Sequence, residues 1–244
     1  MNSRYDIDID RVPCHVAIIM DGNGTWAKKK FMNRIKGHEQ GSATVCSIVN
    51  ICLKLGIKFL TLYAFSTENW ARPDYEVRAL MNLLKKFAKS ERKQLFEKEI
   101  CLKMIGQKQR LSENVRKELD ITIDKTKNNK KMFLTLAISY GGREEITRAV
   151  KEIAKKVFKK KIPCNEITEN MIAEHLYTKN MPEPDLLIRT SGKMRISNFL
   201  LWQMAYTEIF ITETLWPDFT KQEFIDIIKN YQTRERKFGK VYAP

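Results

Sequence analysis

The chain has 244 residues, 43% hydrophobic and 30% charged, enough to bury the core of one large α/β domain or two small ones. It holds no run of about 18 apolar residues, and its first residues, MNSRYDIDIDRVP, are acidic-polar, so neither a membrane-spanning helix nor a secretory leader is expected and the reading is cytoplasmic. A formal charge of +15 suits nucleic acid, anionic headgroups or a polyanionic small substrate, but no nucleic-acid-binding signature accompanies it, and five scattered cysteines without a C-x-x-C pair exclude a disulfide framework and a structural zinc site.

The elements alternate. Residues 15–20 read as a buried strand, followed by a glycine loop, DGNG, and a helix-permissive segment from Trp26. Val45, Ile48, Val49, Cys52 and Leu53 have helical spacing and predict a helix over about 37–55, ended by Gly56. Strand 59–65 is followed by a long amphipathic helix over about 74–98, a short strand at 101–105 and a polar helix over about 112–127. Strand 132–138 precedes a helix reaching about 160, and Pro163 then breaks the chain. Thr168 reads as the N-cap of a short helix over 169–177, and strands at 186–188 and 208–212 and a helix at 220–232 follow. Lysine runs such as Lys155-Lys156 and Lys159-Lys160-Lys161 fall on the amphipathic helices, where their ordinary use is a solvated face.

Strands that are apolar along their whole length, separated by helices, predict a mostly parallel sheet of about six strands covered on both faces. No linker or repeat divides it, so residues 1–244 are read as a single domain.

Three polar loops fall at the C-terminal ends of three strands: DGNG (21–24), STENWARP (66–73) and RTSGKMRIS (189–197). In an open parallel sheet that edge binds ligands. A glycine loop between strand and helix can turn backbone N–H groups on a phosphate, and Asp21 offers a carboxylate to a hydrated Mg²⁺ bridging to it. Arg189, Arg195 and Ser197 form a basic, hydroxyl-bearing group suited to a diphosphate. The alternatives are an ion pair with a nearby carboxylate for Arg189 and a solvated charge for Arg195. P-loop and G-x-G-x-x-G fingerprints, a G-x-S-x-G elbow, a D-D-x-x-D pair and histidines at metal-ligand spacing are all absent.

HVAIIMDGNGTWAKK, Arg34 with Gly37-His38, LYAFSTENWARP, ISYGGR, DLLIRTSGKMRISNFLLWQMAYTEIFITETLWPDF and RERKFG together resemble the cis-prenyltransferases, the family of bacterial undecaprenyl diphosphate synthase. The resemblance runs in order from about residue 13 to residue 239. It implies Mg²⁺-dependent condensation of isopentenyl diphosphate onto an allylic diphosphate, usually farnesyl diphosphate. The implied product is a cis-polyprenyl diphosphate such as undecaprenyl diphosphate, the lipid carrier precursor for cell-wall polysaccharide. It further implies a homodimer, an apolar tunnel for the growing chain and no nucleic-acid partner, and it is compatible with transient membrane-surface contact on product release.

By the same resemblance Asp21 holds Mg²⁺ and assists departure of the allylic diphosphate, while Gly22, Asn23 and Gly24 cradle that diphosphate. Thr25, Trp26, Arg34 and His38 line the allylic site, and Ser66, Thr67 and Glu68 also contact substrate. Asn69 matches the position assigned to proton removal, with Trp70, Arg72 and Glu76 beside it. Arg189, Arg195, Ile196 and Ser197 match the isopentenyl diphosphate site, and Glu208 a second metal ligand from the partner-facing region.

The tunnel is expected to be lined from 59–65, 80–87 and 132–138, stretches that also suit plain core packing. Other residues have ordinary uses as well: His38 as a core histidine, Trp26 and Trp70 as packing aromatics, Glu76 as a carboxylate favoured by its helix N-terminus. An asparagine amide is too weak a base for proton removal, so Asn69 is expected to orient a water or a diphosphate oxygen instead. The chain departs from the family at Thr25, where arginine is usual, at Phe31, where glycine is common, and at Met194, where histidine often stands. The missing cation at Thr25 weakens allylic binding unless Lys28, Lys29 or Lys30 replaces it. Of two rival classes, a non-catalytic subunit of such an enzyme would lose Asp21 or the RTSG motif, both intact here, and a basic nucleic-acid-binding protein is suggested by net charge alone.

Overall fold

The apolar runs become six strands: β1 (His15–Ile19), β2 (Phe59–Ser66), β3 (Ile100–Ile105), β4 (Met132–Tyr140), β5 (Leu186–Arg189) and β6 (Glu208–Ile211). The computed structural model describes residues 5–234, so the first four residues and the RERKFG motif from residue 235 onward lie outside the described residues. All neighbouring strands are parallel, in the order β3-β4-β2-β1-β5-β6. That bears out the single sheet, and makes it wholly parallel.

Among the described residues eight α-helices accompany the strands, seven between strands and α8 after the last: α1 (Asn23–Lys29), α2 (Arg34–Leu55), α3 (Asp74–Ser90), α4 (Arg92–Glu97), α5 (Glu113–Thr126), α6 (Gly142–Phe158), α7 (Glu169–His175) and α8 (Lys221–Gln232). Side chains alternate across the pleat. Val16 and Ile18 enter a large core with α2, α3, α5 and α8, while Ala17 and Ile19 face a smaller cluster with Tyr140, Leu187, Phe199 and Leu200. Fully buried side chains such as Ile18, Leu60 and Leu62 contribute roughly 1.5–3 kcal/mol each to holding these layers.

Three boundaries differ from the sequence expectation. Helix α2 starts at Arg34, capped by the Asn33 side chain, because Gly37 and Gly41 do not break it. They permit close approach: a Cβ at Gly37 would stand 2.0 Å from the carbonyl oxygen of Asn23 in α1. A helix begins already at Asn23, with Gly22 before it in the left-handed conformation (φ 105°). The helix expected over 74–98 is interrupted at Glu91, where Ser90 Oγ donates to the Phe87 carbonyl and Arg92 turns to Glu118 (2.5 Å) and Thr122 (2.9 Å) of α5.

The chain leaves β1 toward β2 and leaves β5 toward β6, so the connections diverge between these two adjacent strands. That divergence opens the crevice in which parallel sheets bind ligands.

Candidate active site

Asp21 follows β1 and Arg189 ends β5, and they meet across the crevice. Arg189 Nη2 donates to Asp21 Oδ2 at 2.7 Å, with the arginine side chain 4% exposed and the aspartate 36%. Arg189 Nη1 donates to Ser197 Oγ at 2.8 Å and to the Arg195 carbonyl. One guanidinium therefore ties the β1 loop to the β5 loop. The expected alternative for Arg189, an ion pair with a carboxylate, is present, and its partner is Asp21. The main chain of Asp21 is clamped as well: its carbonyl accepts from Thr190 Oγ1 (2.7 Å) and from the Trp216 N–H (3.0 Å).

A second ionic group stands opposite. Glu76, in the first turn of α3 and 1% exposed, accepts from Arg34 Nη1 at 3.2 Å and from Arg72 Nη1 at 2.9 Å. The arginines themselves are 58% and 32% exposed. His38 lies close to them, and burial, then the Arg72 and Arg34 charges, bring its pKa down to about 4 against the opposing pull of Glu76. Its ring is neutral at pH 7.

Between the two groups lies a cavity of about 640 Å³. Its polar wall gathers Asp21, Asn23, His38, Ser66, Glu68, Asn69, Arg72, Arg189, Arg195 and Ser197, all expected from sequence. Its apolar wall takes Leu62, Ala64 and Phe65 from β2 and Leu80, Met81, Leu83, Leu84 and Phe87 from α3, but only Leu136 from 132–138; Met132, Leu134, Ala137 and Ile138 pack the core and the partly exposed Phe133 stacks on Phe59. Gly24, Thr25 and Arg34 line a separate recess of about 530 Å³ with Lys28, so of the three candidate lysines Lys28 stands beside Thr25. Lys30 instead covers the Trp26 ring at 4.3 Å.

Gly22, Trp26, Thr67, Trp70, Glu76 and Ile196 stand behind these walls. The Trp26 indole N–H donates to Asp218 Oδ1 (2.7 Å) and that of Trp70 to Ser139 Oγ (2.8 Å), so both act as packing aromatics with satisfied polar edges. Asn69 Oδ1 accepts from the Ser66 N–H at 3.1 Å, which fixes the short turn over Thr67–Ala71. Glu208 is not brought to the cavity of its own chain. It begins β6 opposite Leu186, at the other end of a strand pair whose far end holds Arg189, roughly 10 Å away along β5. Its carboxylate accepts from Arg234 at 2.6 Å.

Some contributors escaped the sequence reading. The Tyr63 hydroxyl donates to the carbonyls of Tyr140 (3.2 Å) and Ser197 (3.3 Å), joining the β5 loop to the end of β4. Asn198 donates to Glu68 Oε1 (2.8 Å) and accepts from the Arg143 N–H (2.9 Å). Burial favours the neutral acid at Glu68, but hydrogen bonds from Asn198, its own backbone, Ser66 and Thr67 outweigh it and hold the pKa below the usual carboxylate value. Asn198 adjoins Ser197 in the RIS-N sequence, a signal that was available; Tyr63 sits inside an apolar strand and gave none.

The family model described as "Putative undecaprenyl diphosphate synthase" matches residues 19–239. The chain belongs to that family. Isoprenyl transferases of Clostridium tetani and Staphylococcus saprophyticus are 46% and 48% identical to it, over 99% and 98% of this chain and 94% of each relative. Lavandulyl diphosphate synthase of Lavandula x intermedia, solved with dimethylallyl diphosphate, superposes with a TM-score of 0.92 at 38% identity, covering 95% of this chain and all of that one. A structure from Campylobacter jejuni described as a "probable undecaprenyl diphosphate synthase" gives 0.77 at 38% identity over 93% and 99% of the two chains. Membership in the undecaprenyl diphosphate synthase family makes this protein a prenyltransferase, with the fold and enzyme class expected from its motifs.

Proposed function

We propose that this prenyltransferase condenses isopentenyl diphosphate onto an allylic diphosphate, farnesyl diphosphate first, in a Mg²⁺-dependent reaction that forms cis double bonds. The product is a long-chain polyprenyl diphosphate, undecaprenyl diphosphate in this reading, the lipid carrier precursor for cell-wall polysaccharide. The observation that carries the proposal is the Asp21–Arg189–Ser197 group at the head of a cavity whose other wall is apolar.

Arg195 and Ser197, steadied by Arg189, bind the diphosphate of isopentenyl diphosphate. Asn23, Gly24, Arg34 and Arg72 hold the allylic diphosphate, with neutral His38 supplying a hydrogen bond rather than a charge. Two polyanions side by side need concentrated positive charge to offset their repulsion, which the three arginines Arg72, Arg189 and Arg195 supply around the cavity. The hydrocarbon enters between β2 and α3, where burial is worth about 0.8 kcal/mol per CH₂ and water is excluded from the reacting carbons.

Mg²⁺ fits the donor set. Asp21 keeps Oδ1 engaged only by the Gly22 N–H (2.8 Å) and is partly exposed, and Mg²⁺ is commonly held by one or two carboxylates together with substrate phosphates. Asp21 would hold the ion, which when bound stabilises charge developing on the departing diphosphate. Asn69, its carbonyl committed to Ser66, directs its amide N–H groups toward a water or a diphosphate oxygen, and the diphosphate accepts the proton. Glu208 lies too far along β6 to share an ion with Asp21 of its own chain, so a metal role for it belongs to a homodimer built through residues 199–219.

The test is incubation with farnesyl diphosphate, labelled isopentenyl diphosphate and Mg²⁺, with chain-length analysis of the product. A ladder ending at a C55 species (eight condensations onto C15) is expected, and no incorporation of label would overturn the proposal. A short product would keep the chemistry and reject the undecaprenyl assignment.

A further inference from the structure

Helix α6 turns an apolar line to solvent that the active site does not use. Its inward residues Glu145, Ala149 and Ile153 are buried. On another face Val150 and Phe158 are 51% and 88% exposed, with Ala154 exposed between them, and the three follow one i+4 ridge that winds about 80° around the helix. Each is followed by an exposed lysine, Lys151, Lys155 and Lys159, which form a second row about 100° around the helix. Lys160 and Lys161, also exposed, follow in the turn after the helix, and residues 153–163 contain no acidic side chain. Glu152, at the flank, is engaged by Arg148 at 2.6 Å.

The occupant of such a face must satisfy both rows. A second copy of the chain would set lysine row against lysine row. A nucleic-acid backbone would answer the lysines and leave Phe158 in water. An anionic bilayer accepts the phenylalanine at headgroup depth and places its phosphates against the lysines. We propose that the second half of α6 with the turn after it, from Val150 to Lys161, is a docking face for an anionic bilayer surface. The inference does not depend on the substrates assigned above.

The test is sedimentation of the full-length protein with vesicles of phosphatidylcholine alone and of phosphatidylcholine mixed with phosphatidylglycerol. Binding is expected only to the mixed vesicles, weakening as salt is raised. Phe158→Ser should lower the partition coefficient about tenfold, and Lys155→Glu with Lys159→Glu about thirtyfold or more. All these positions are exposed, so the thermal midpoint and prenyl transfer between soluble substrates should be unchanged. Absence of binding to mixed vesicles, equal binding to neutral ones, or indifference to Phe158→Ser overturns the proposal. So does self-association in ultracentrifugation that Phe158→Ser abolishes, which makes a second copy the occupant. Duplex DNA binding that falls with the lysine changes, while vesicle binding stays constant, assigns the lysines to nucleic acid and also overturns it.

Discussion

The two arginine stations of the cavity are built in opposite ways. At one, the arginine is buried and the carboxylate reaches solvent: Arg189 divides its guanidinium among Asp21, Ser197 and the Arg195 carbonyl. At the other, the carboxylate is buried and the arginines reach solvent: Glu76 anchors Arg34 and Arg72 by their inner edges. The first station is a strut whose removal disturbs two loops together. The second is a mount from which two cations extend, free to follow an incoming anion at a cost in affinity rather than in architecture. In the proposed reaction the first suits a diphosphate held in one place and the second a substrate that changes length at every cycle.

Removing the strut should have the largest effect. Arg189→Ala loses all three contacts; the two to the Asp21 and Ser197 side chains alone are worth about 1.5–3 kcal/mol each, so kcat/KM is expected to fall roughly a hundred- to ten-thousand-fold or more, with little recovery in Arg189→Lys because lysine cannot fork. Steady-state assays with thermal melts check this, and near-normal activity in the alanine variant would reduce the strut to a passive ion pair. Glu76→Gln, which loosens the mount, should raise KM for the allylic diphosphate about tenfold while leaving KM for isopentenyl diphosphate within twofold. A parallel rise in both constants would erase the distinction between the stations.

Thr25→Arg adds a cation to the recess shared with Lys28 and Arg34, and should lower the allylic KM several-fold, an effect that Lys28→Ala should reverse in sign when made alone. An unchanged KM in Thr25→Arg would show that Lys28 already supplies the full charge. The smallest effect concerns pH. Burial holds both His15 and His38 down at about 4, so between about pH 6.5 and 4 the unfolded chain binds more protons and stability falls as the pH is lowered through that window. His38→Gln should flatten part of that fall in pH-dependent denaturation and leave stability at pH 8 within about 0.5 kcal/mol; an unchanged profile would show that the imidazole near the arginines is not held neutral.

Much of the sheet was legible because parallel strands buried on both faces must be apolar throughout, and the runs at 15–20, 59–65 and 132–138 are. What escaped was set by partners distant in sequence. The start of α2 at Arg34 rather than near Gly37 goes with the close packing of Gly37 on α1, and Glu91 interrupts the helix expected over 74–98 without glycine or proline because Arg92 is drawn to α5. The loops announced the cavity, since DGNG, STENW and RTSG each follow a strand whose direction the sheet fixes. Which side chains face inward was less legible. Trp26 and Trp70 sit in the right motifs yet are turned away by Asp218 and Ser139, and Tyr63 hides its hydroxyl in an apolar strand. Glu208 illustrates the same limit from the other side: its motif is unmistakable, but strand register places it at the opposite end of β5 and β6 from Arg189.

The clamp on the Asp21 carbonyl has a kinetic consequence. With its main chain held by Thr190 and Trp216, this residue can leave Arg189 only by turning its short side chain about two torsions. Rotamer changes of that size take picoseconds to nanoseconds where the side chain is partly exposed, far faster than loop motions. Reorientation of the Asp21 carboxylate at the centre of the crevice thus needs no movement of the loops that carry it.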